Sequence, residues 1–186
     1  MKKPWRRKYR IDLDTSRLLL RPLMLEDVDW LTHLYADPEV SRFLQDGASA
    51  LEQARRTAEA VVSLDLRRCQ FGNWAIQDKA TGVVHGWTEL SKLRPWSGPS
   101  DEIALSYVLR RASWGCGIAT EAAGRLLQHA FEVHRLDRVM AVIMAGNTAS
   151  RRVLEKLGLR AIESPAETSH LRYFRIDADG VDPVGQ

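Results

Sequence analysis

The chain holds only two cysteines, Cys69 and Cys116, far apart and with no clustered histidine or cysteine beside either. That excludes a disulfide framework and leaves no zinc-site spacing, so reduced thiols and no bound metal are the expectation. No run approaches the roughly 18 uninterrupted apolar residues of a membrane span, and no apolar stretch follows the basic opening as in a secretion signal. A cytoplasmic chain without membrane contact is therefore expected. Internal repeats and low-complexity linkers are also absent. What is present is the balance of a folded globular chain, with 45% apolar and 27% charged residues. At 186 residues, one domain is the economical reading.

Charge is unevenly placed. Lys2, Lys3, Arg6, Arg7, Lys8 and Arg10 put six of the 27 basic residues into the first ten positions, leaving 21 basic against 24 acidic in the remainder. Residues 1–10 are read as a basic arm, 11–178 as one domain and 179–186 as a polar tail. With Trp5 and Tyr9 interleaved, such an arm can dock on a ribosome or nucleic acid; the plainer reading is a solvated terminus.

Arg17 to Leu23 is short, apolar and closed by Pro22, which predicts a strand. Leu25, Val28, Leu31, Leu34 and Tyr35 recur at helical spacing, and Asp37-Pro38 supplies a stop. A second helix is predicted from Ser49, as N-cap, to about Arg67. It would bury Ala54, Ala58, Val61, Val62 and Leu64 or Leu66. Phe71–Gln77 and Val83–Leu93 read as a hairpin, Arg94–Ser100 as a loop, and Ile103–Leu109 as a further strand. A helix opens at Gly117 and buries Ile118, Ala122, Leu126, Leu127, Ala130 and Phe131. Arg138–Met144 is a buried strand, Asn147–Leu157 a helix capped by Asn147, and Leu171–Ile176 a last strand. This order predicts an α/β fold with a mixed central sheet and helices on both faces.

The informative feature is a strand that enters a glycine turn and then a helix, because that arrangement aims several unpaired backbone N–H groups at one point. Gly115 and Gly117 let a ligand approach the backbone, and Ala119 keeps the first helical turn slim. The template is not a Walker loop, since no lysine follows, nor a dinucleotide fingerprint. Alone, the glycine pair fits a ligand-free tight turn equally well.

Other segments extend it. YVLRRASWGCGIATEA, then LLQHAFE and RVMAVIMAGNTASRRVLEKLGL, resemble the coenzyme A-binding half of the GNAT superfamily, in particular its Rim-type ribosomal-protein N-acetyltransferase branch. RLLLRPLMLEDVDWL is similar to that branch's opening and WAIQDKATGVVHGW to its central hairpin. The resemblance implies a GNAT acyl-CoA N-acyltransferase fold and acetyl-CoA as cosubstrate. The superfamily pattern Gln/Arg-x-x-Gly-x-Gly/Ala maps onto Trp114, Gly117 and Ala119, with Trp114 in the form usual for the Rim-like branch. By that likeness Trp114, Gly115, Cys116, Gly117, Ile118, Ala119 and Thr120 hold the pyrophosphate, Asn147 bonds the pantetheine arm and Ser150 sits near the thioester sulfur. Asn147 and Ser150 are also what any helix start would use. Arg151, Arg152 and Lys156 are candidates for the nucleotide 3′-phosphate.

Acyl transfer to an amine needs a nitrogen lone pair, a polarised carbonyl and a proton for the departing thiolate. Alternation along Val83–Leu93 predicts His85, Trp87, Glu89 and Ser91 on one face. Glu89 is the first candidate base, His85 the alternate and Glu102 the third. The family's usual tyrosine acid falls at Leu154, which leaves Ser150 or water to protonate the thiolate. Polarisation is expected from a backbone N–H at a bulge among Tyr107, Val108 and Leu109, with Ser106 where related chains often carry glycine. The expected function is transfer of acetyl to a primary amine, a protein N-terminus or a small molecule, by direct attack in a ternary complex. Trp74, Trp87 and Trp96 could wall a small acceptor. The alternatives are a non-catalytic acyl-CoA sensor, a module tethered to nucleic acid, or use of another donor such as succinyl-CoA. The branch suggests a homodimer.

Overall fold

The computed structural model describes residues 11–44, 51–67, 71–93, 101–163 and 170–180, with backbone alone for 64–67 and 180. The basic arm, the Ser49 cap, the side chains of Leu64 and Leu66, Cys69, the loop with Trp96 and the end of the tail lie outside these residues.

Leu13–Asp14 (β1) and Leu18–Pro22 (β2) open the fold, followed by helices Val28–Ala36 (α1), Pro38–Ser41 (α2) and Leu51–Arg67 (α3). The hairpin is Gly72–Asp78 (β3) with Val84–Lys92 (β4), and Ile103–Leu109 (β5) comes next. Ile118–Glu132 (α4), Arg138–Met144 (β6), Thr148–Lys156 (α5), Arg160–Ile162 (β7) and Leu171–Asp177 (β8) complete it. The eight strands form one sheet in the order β1-β2-β3-β4-β5-β6-β8-β7. All neighbours are antiparallel except β5 and β6, so the sheet is mixed, as expected.

Asp37-Pro38 ends α1 at Ala36, as expected, and Pro38 also opens the next helix. Asp37 is extended and its carboxylate accepts the Glu39 N–H at 2.9 Å, while proline at the first helical position gives up an N–H that would be orphaned anyway. The two- and three-residue strands β1 and β7 were not expected from the sequence; neither is long enough to show a period.

Alternation divides the core between two faces. Leu18, Leu20, Trp74, Ile76, Leu90 and Leu105 meet Ile118, Ala122, Leu126 and Leu154, the inward stripes of α4 and α5. Ala75, Trp87 and Val108 point the other way, against Leu31, Leu34, Ala54, Ala58 and Val61 of α1 and α3. At the corner from β2 to α1, buried Asp27 receives both terminal nitrogens of Arg21, at 2.8 and 2.7 Å, plus Trp30 Nε1 and the Met24 N–H. Burial alone would push that carboxyl's pKa up; these donors outweigh it and hold the pKa below the usual range. No helix among the described residues is long and apolar enough to cross a membrane.

Two expected outcomes follow from the packing. At Gly86 an added Cβ would lie 2.1 Å from the Val108 carbonyl oxygen and 2.8 Å from Leu109 Cα, both backbone atoms of β5. Gly86→Ala should therefore destabilise by about 3 kcal/mol or more, a fall in melting temperature of roughly 6–12 °C by calorimetry. The second concerns His129, which is fully buried on α4 with neither ring nitrogen hydrogen-bonded. It lies edge-on to Trp74 and His134. Burial first, then the nearby His134 and Arg125, lower its pKa from 6.5 to about 4. The unfolded chain thus binds this proton more readily than the fold, so the residue's contribution is complete above pH 6.5 and disappears as pH falls toward 4. Urea unfolding should lose about 2 kcal/mol between pH 7.5 and 5 from this group, and His129→Leu should flatten that slope.

Candidate active site

β5 and β6 share one ladder pair, Ala104 opposite Met140, and then separate. Beyond it, Leu105 to Leu109 on one side and Ala141, Val142 and Ile143 on the other line a cavity of about 660 Å³. On its far side β5 stays in regular register with β4, from Lys92 opposite Ile103 to Gly86 opposite Leu109. The bulge expected among Tyr107 to Leu109 is therefore absent. Those residues gain their free backbone edge because β6 diverges.

The glycine turn closes the top of the split. Gly115 and Gly117 have φ of 75° and 76°, the left-handed region that favours glycine, and Gly117 caps α4. Trp114, Gly115, Gly117, Ile118, Ala119 and Thr120 all line the cavity. At this N-terminus the first-turn N–H groups have no carbonyl of their own helix to bond, and the helix dipole adds partial positive charge. Trp114 Nε1 donates to the Leu109 carbonyl at 3.0 Å, tying the turn to the end of β5. Cys116 does not line the cavity: its thiol is exposed and contacts the Trp114 carbonyl at 3.5 Å.

From β6 the chain enters α5 through Asn147. The Asn147 Oδ1 accepts the Ser150 N–H at 3.1 Å, which leaves the amide NH2 to donate to a ligand. The Tyr107 hydroxyl crosses the split and donates to the Ser150 carbonyl at 3.1 Å. Burial pushes the Tyr107 pKa far up and the bond to Ser150 opposes it only in part, so the phenol stays protonated. Arg152 and Lys156 line the same cavity, whereas Arg151 turns away into a 2.7 Å ion pair with Glu155.

Of the three candidate bases, the structure brings one to the cavity. Glu89 is 5% exposed and lines it beside Trp87. His85 was expected on the same face and is not. Ile76 pairs with Gly86 but Gln77 pairs with Val84, so His85 is an extra residue in β4 and the alternation breaks there. Its Nδ1 lies 2.8 Å from Oγ of Ser113, a lining residue, and its Nε2 3.8 Å from Asp78 Oδ2, so His85 touches the lining without being part of it. Glu102 pairs with Arg138 at 3.2 Å at the closed end of the sheet. Of the tryptophans, Trp74 is core, donating from Nε1 to the Ile11 carbonyl, and Trp87 is a wall.

Residues that the sequence did not single out as part of a site complete it. Tyr35 and Val61, expected only as buried helix positions, line the cavity together with Val40, Arg42, Phe43, Leu44 and Thr57. The Arg42 guanidinium stacks 4.6 Å from the Phe43 ring and pairs with Glu39 at 3.1 Å. Their helical spacing signals only a buried stripe; nothing in it separates a wall from a core.

Comparison with known proteins converges on one family. The acetyltransferase (GNAT) domain matches residues 17–160. An uncharacterized N-acetyltransferase, p20 of Bacillus licheniformis, is 31% identical over 149 residues, covering 80% of this chain and 82% of that protein. An acetyltransferase from Agrobacterium tumefaciens superposes with a TM-score of 0.76 at 24% identity, over 89% of this chain and 94% of that one. Mycobacterium smegmatis RimJ, solved with CoA-disulfide, superposes with a TM-score of 0.71 at 19% identity, over 92% and 89%. With a domain match over most of its length, the chain belongs to the GNAT acetyltransferase family.

Proposed function

We propose that the chain transfers acetyl from acetyl-CoA to a primary amine, a protein N-terminus or a small molecule, by direct attack within a ternary complex. The observation that carries this reading is a single cavity holding both the glycine turn and the buried Glu89. Its donor set fits the cosubstrate. Main-chain N–H groups at the start of α4 suit a diphosphate, the free edge of β5 and the Asn147 amide suit the pantetheine amides, and Arg152 and Lys156 suit a 3′-phosphate. The name of the p20 relative, an N-acetyltransferase, and the CoA-disulfide held by RimJ support the same pairing of donor and acceptor.

In the reaction Glu89 takes a proton from the acceptor ammonium, directly or through water. The nitrogen lone pair attacks the thioester carbonyl, whose developing oxyanion meets a backbone N–H of β5. Collapse forms the amide and breaks the C–S bond; the nitrogen gives up its second proton, and Ser150 Oγ or water, donating its own proton to the thiolate, takes that one in its place. No acyl-enzyme is needed, in keeping with the outward thiol of Cys116. Tyr35, Phe43 and Trp87 favour an amine carried on an apolar group.

Glu89→Gln should lower kcat about 10²- to 10³-fold in a thiol-release assay with a panel of amines and peptides. Acetyl-CoA affinity by calorimetry should stay within about twofold. Equal turnover in the variant would remove Glu89 from the mechanism, and binding by the wild type with no release on any acceptor would mark a sensor. Arg152→Ala with Lys156→Ala should weaken acetyl-CoA roughly tenfold and its 3′-dephospho form hardly at all, because only the former presents the phosphate they meet.

A further inference from the structure

We propose that Arg17 is a positioning residue for the diphosphate grip, holding the Cys116–Gly117 peptide so that its N–H faces the cavity. The inference rests on the acyl-CoA reading above. Both terminal nitrogens of Arg17 donate to the Cys116 carbonyl oxygen at 3.3 Å, from the side of the turn away from the cavity. A trans peptide is planar, with its C=O and N–H pointing in opposite directions. Fixing the Cys116 oxygen on Arg17 therefore turns the Gly117 N–H the other way, toward the lining formed by Gly115, Gly117 and Ile118.

The turn needs such a latch. Gly117 lacks a Cβ and accepts either sign of φ, so sterics alone do not stop this peptide plane from flipping. A flipped plane would present a carbonyl, with its partial negative charge, to a dianionic ligand. The guanidinium sits close against the turn, since a Cβ on Gly117 would lie 3.5 Å from an Arg17 terminal nitrogen.

Arg17 is itself held. Its Nε donates to Glu121 Oε2 at 2.7 Å, and Glu121 Oε1 accepts from Thr15 Oγ1 at 2.5 Å, the Arg17 N–H at 2.9 Å and Ser16 Oγ at 3.2 Å. Lys79 braces the same turn from the β3–β4 turn, with its Nζ on the Thr15 carbonyl at 2.7 Å and its N–H on the Arg17 carbonyl at 3.0 Å. An exposed ion pair by itself contributes about 0–1 kcal/mol, so what this network chiefly fixes is the position of the Arg17 guanidinium. It joins the β1–β2 turn to the first turn of α4, where the ligand-binding N–H groups lie.

The test compares two donors, acetyl-CoA and S-acetylpantetheine, which lacks the diphosphate, in wild type, Arg17→Ala, Arg17→Lys and Glu121→Gln. The expected result is that Arg17→Ala weakens acetyl-CoA binding by about tenfold in calorimetry and shrinks the kcat/KM preference for acetyl-CoA over S-acetylpantetheine to a similar degree. Arg17→Lys should restore part of it. An unchanged preference, or equal losses with both donors, overturns the proposal, since a purely structural role would not tell them apart. Should Arg17→Ala fail to fold, Glu121→Gln and Arg17→Lys are read by the same criterion. Wild type that binds no acyl-CoA refutes the functional reading itself; wild type that binds with Arg17→Ala indistinguishable from it refutes only the latch.

Discussion

Two parallel strands normally satisfy each other's backbone along their whole length, because a buried N–H or C=O left unmade costs about 1–3 kcal/mol. In this fold β5 and β6 pair only where Ala104 meets Met140 and then part, leaving the edge from Leu105 to Leu109 for water or a ligand. Everything at the site follows from that separation. α4 and α5 begin where β5 and β6 end, so both helix N-termini open toward the gap. The loss of ladder bonds is tolerated because the sheet is closed firmly on either side, by the β4–β5 register and by the seven consecutive pairs of β6 with β8.

This dependence on backbone leaves room for departures from the family's side-chain pattern. Cys116 occupies a turn position whose side chain points to solvent, and Trp114 contributes through Nε1 to Leu109 rather than through a charge. Ser106, standing where glycine is usual, pairs with Glu89 in unbroken register while its carbonyl accepts from Thr88 Oγ1 at 2.9 Å. Positive φ at two glycines and a helix start are what the turn requires; those are the features a sequence displays openly.

Much of the architecture was legible for that reason. Ile103–Leu109 and Arg138–Met144 are apolar runs with clear ends, α4 carries a full inward stripe, and Asn147 announces α5 by its capping chemistry. What escaped was set by pairing between segments. A single extra residue in β4, His85, is invisible until Gln77 is seen opposite Val84, and it moves the histidine to Ser113 while Glu89 stays at the cavity. Glu121 lies 104 residues from Arg17, and no spacing rule joins two charges across that interval. Arg42 and Phe43 follow a helical turn that begins at Pro38, a residue whose usual message is to stop.

The missing tyrosine acid can be argued the same way. Leu154 has no exposed surface and belongs to the core cluster under α5, yet it also borders the cavity, where its side chain offers no hydroxyl. In the proposed reaction the proton for the thiolate would then come from the first turn of α5 or from solvent. Tyr107 is near, but its hydrogen is already given to the Ser150 carbonyl. Its contribution is to lock that turn across the split. The Ser150 backbone is thereby held between Tyr107 and Asn147 at the cavity lining, which makes this residue the candidate proton donor of the proposed reaction.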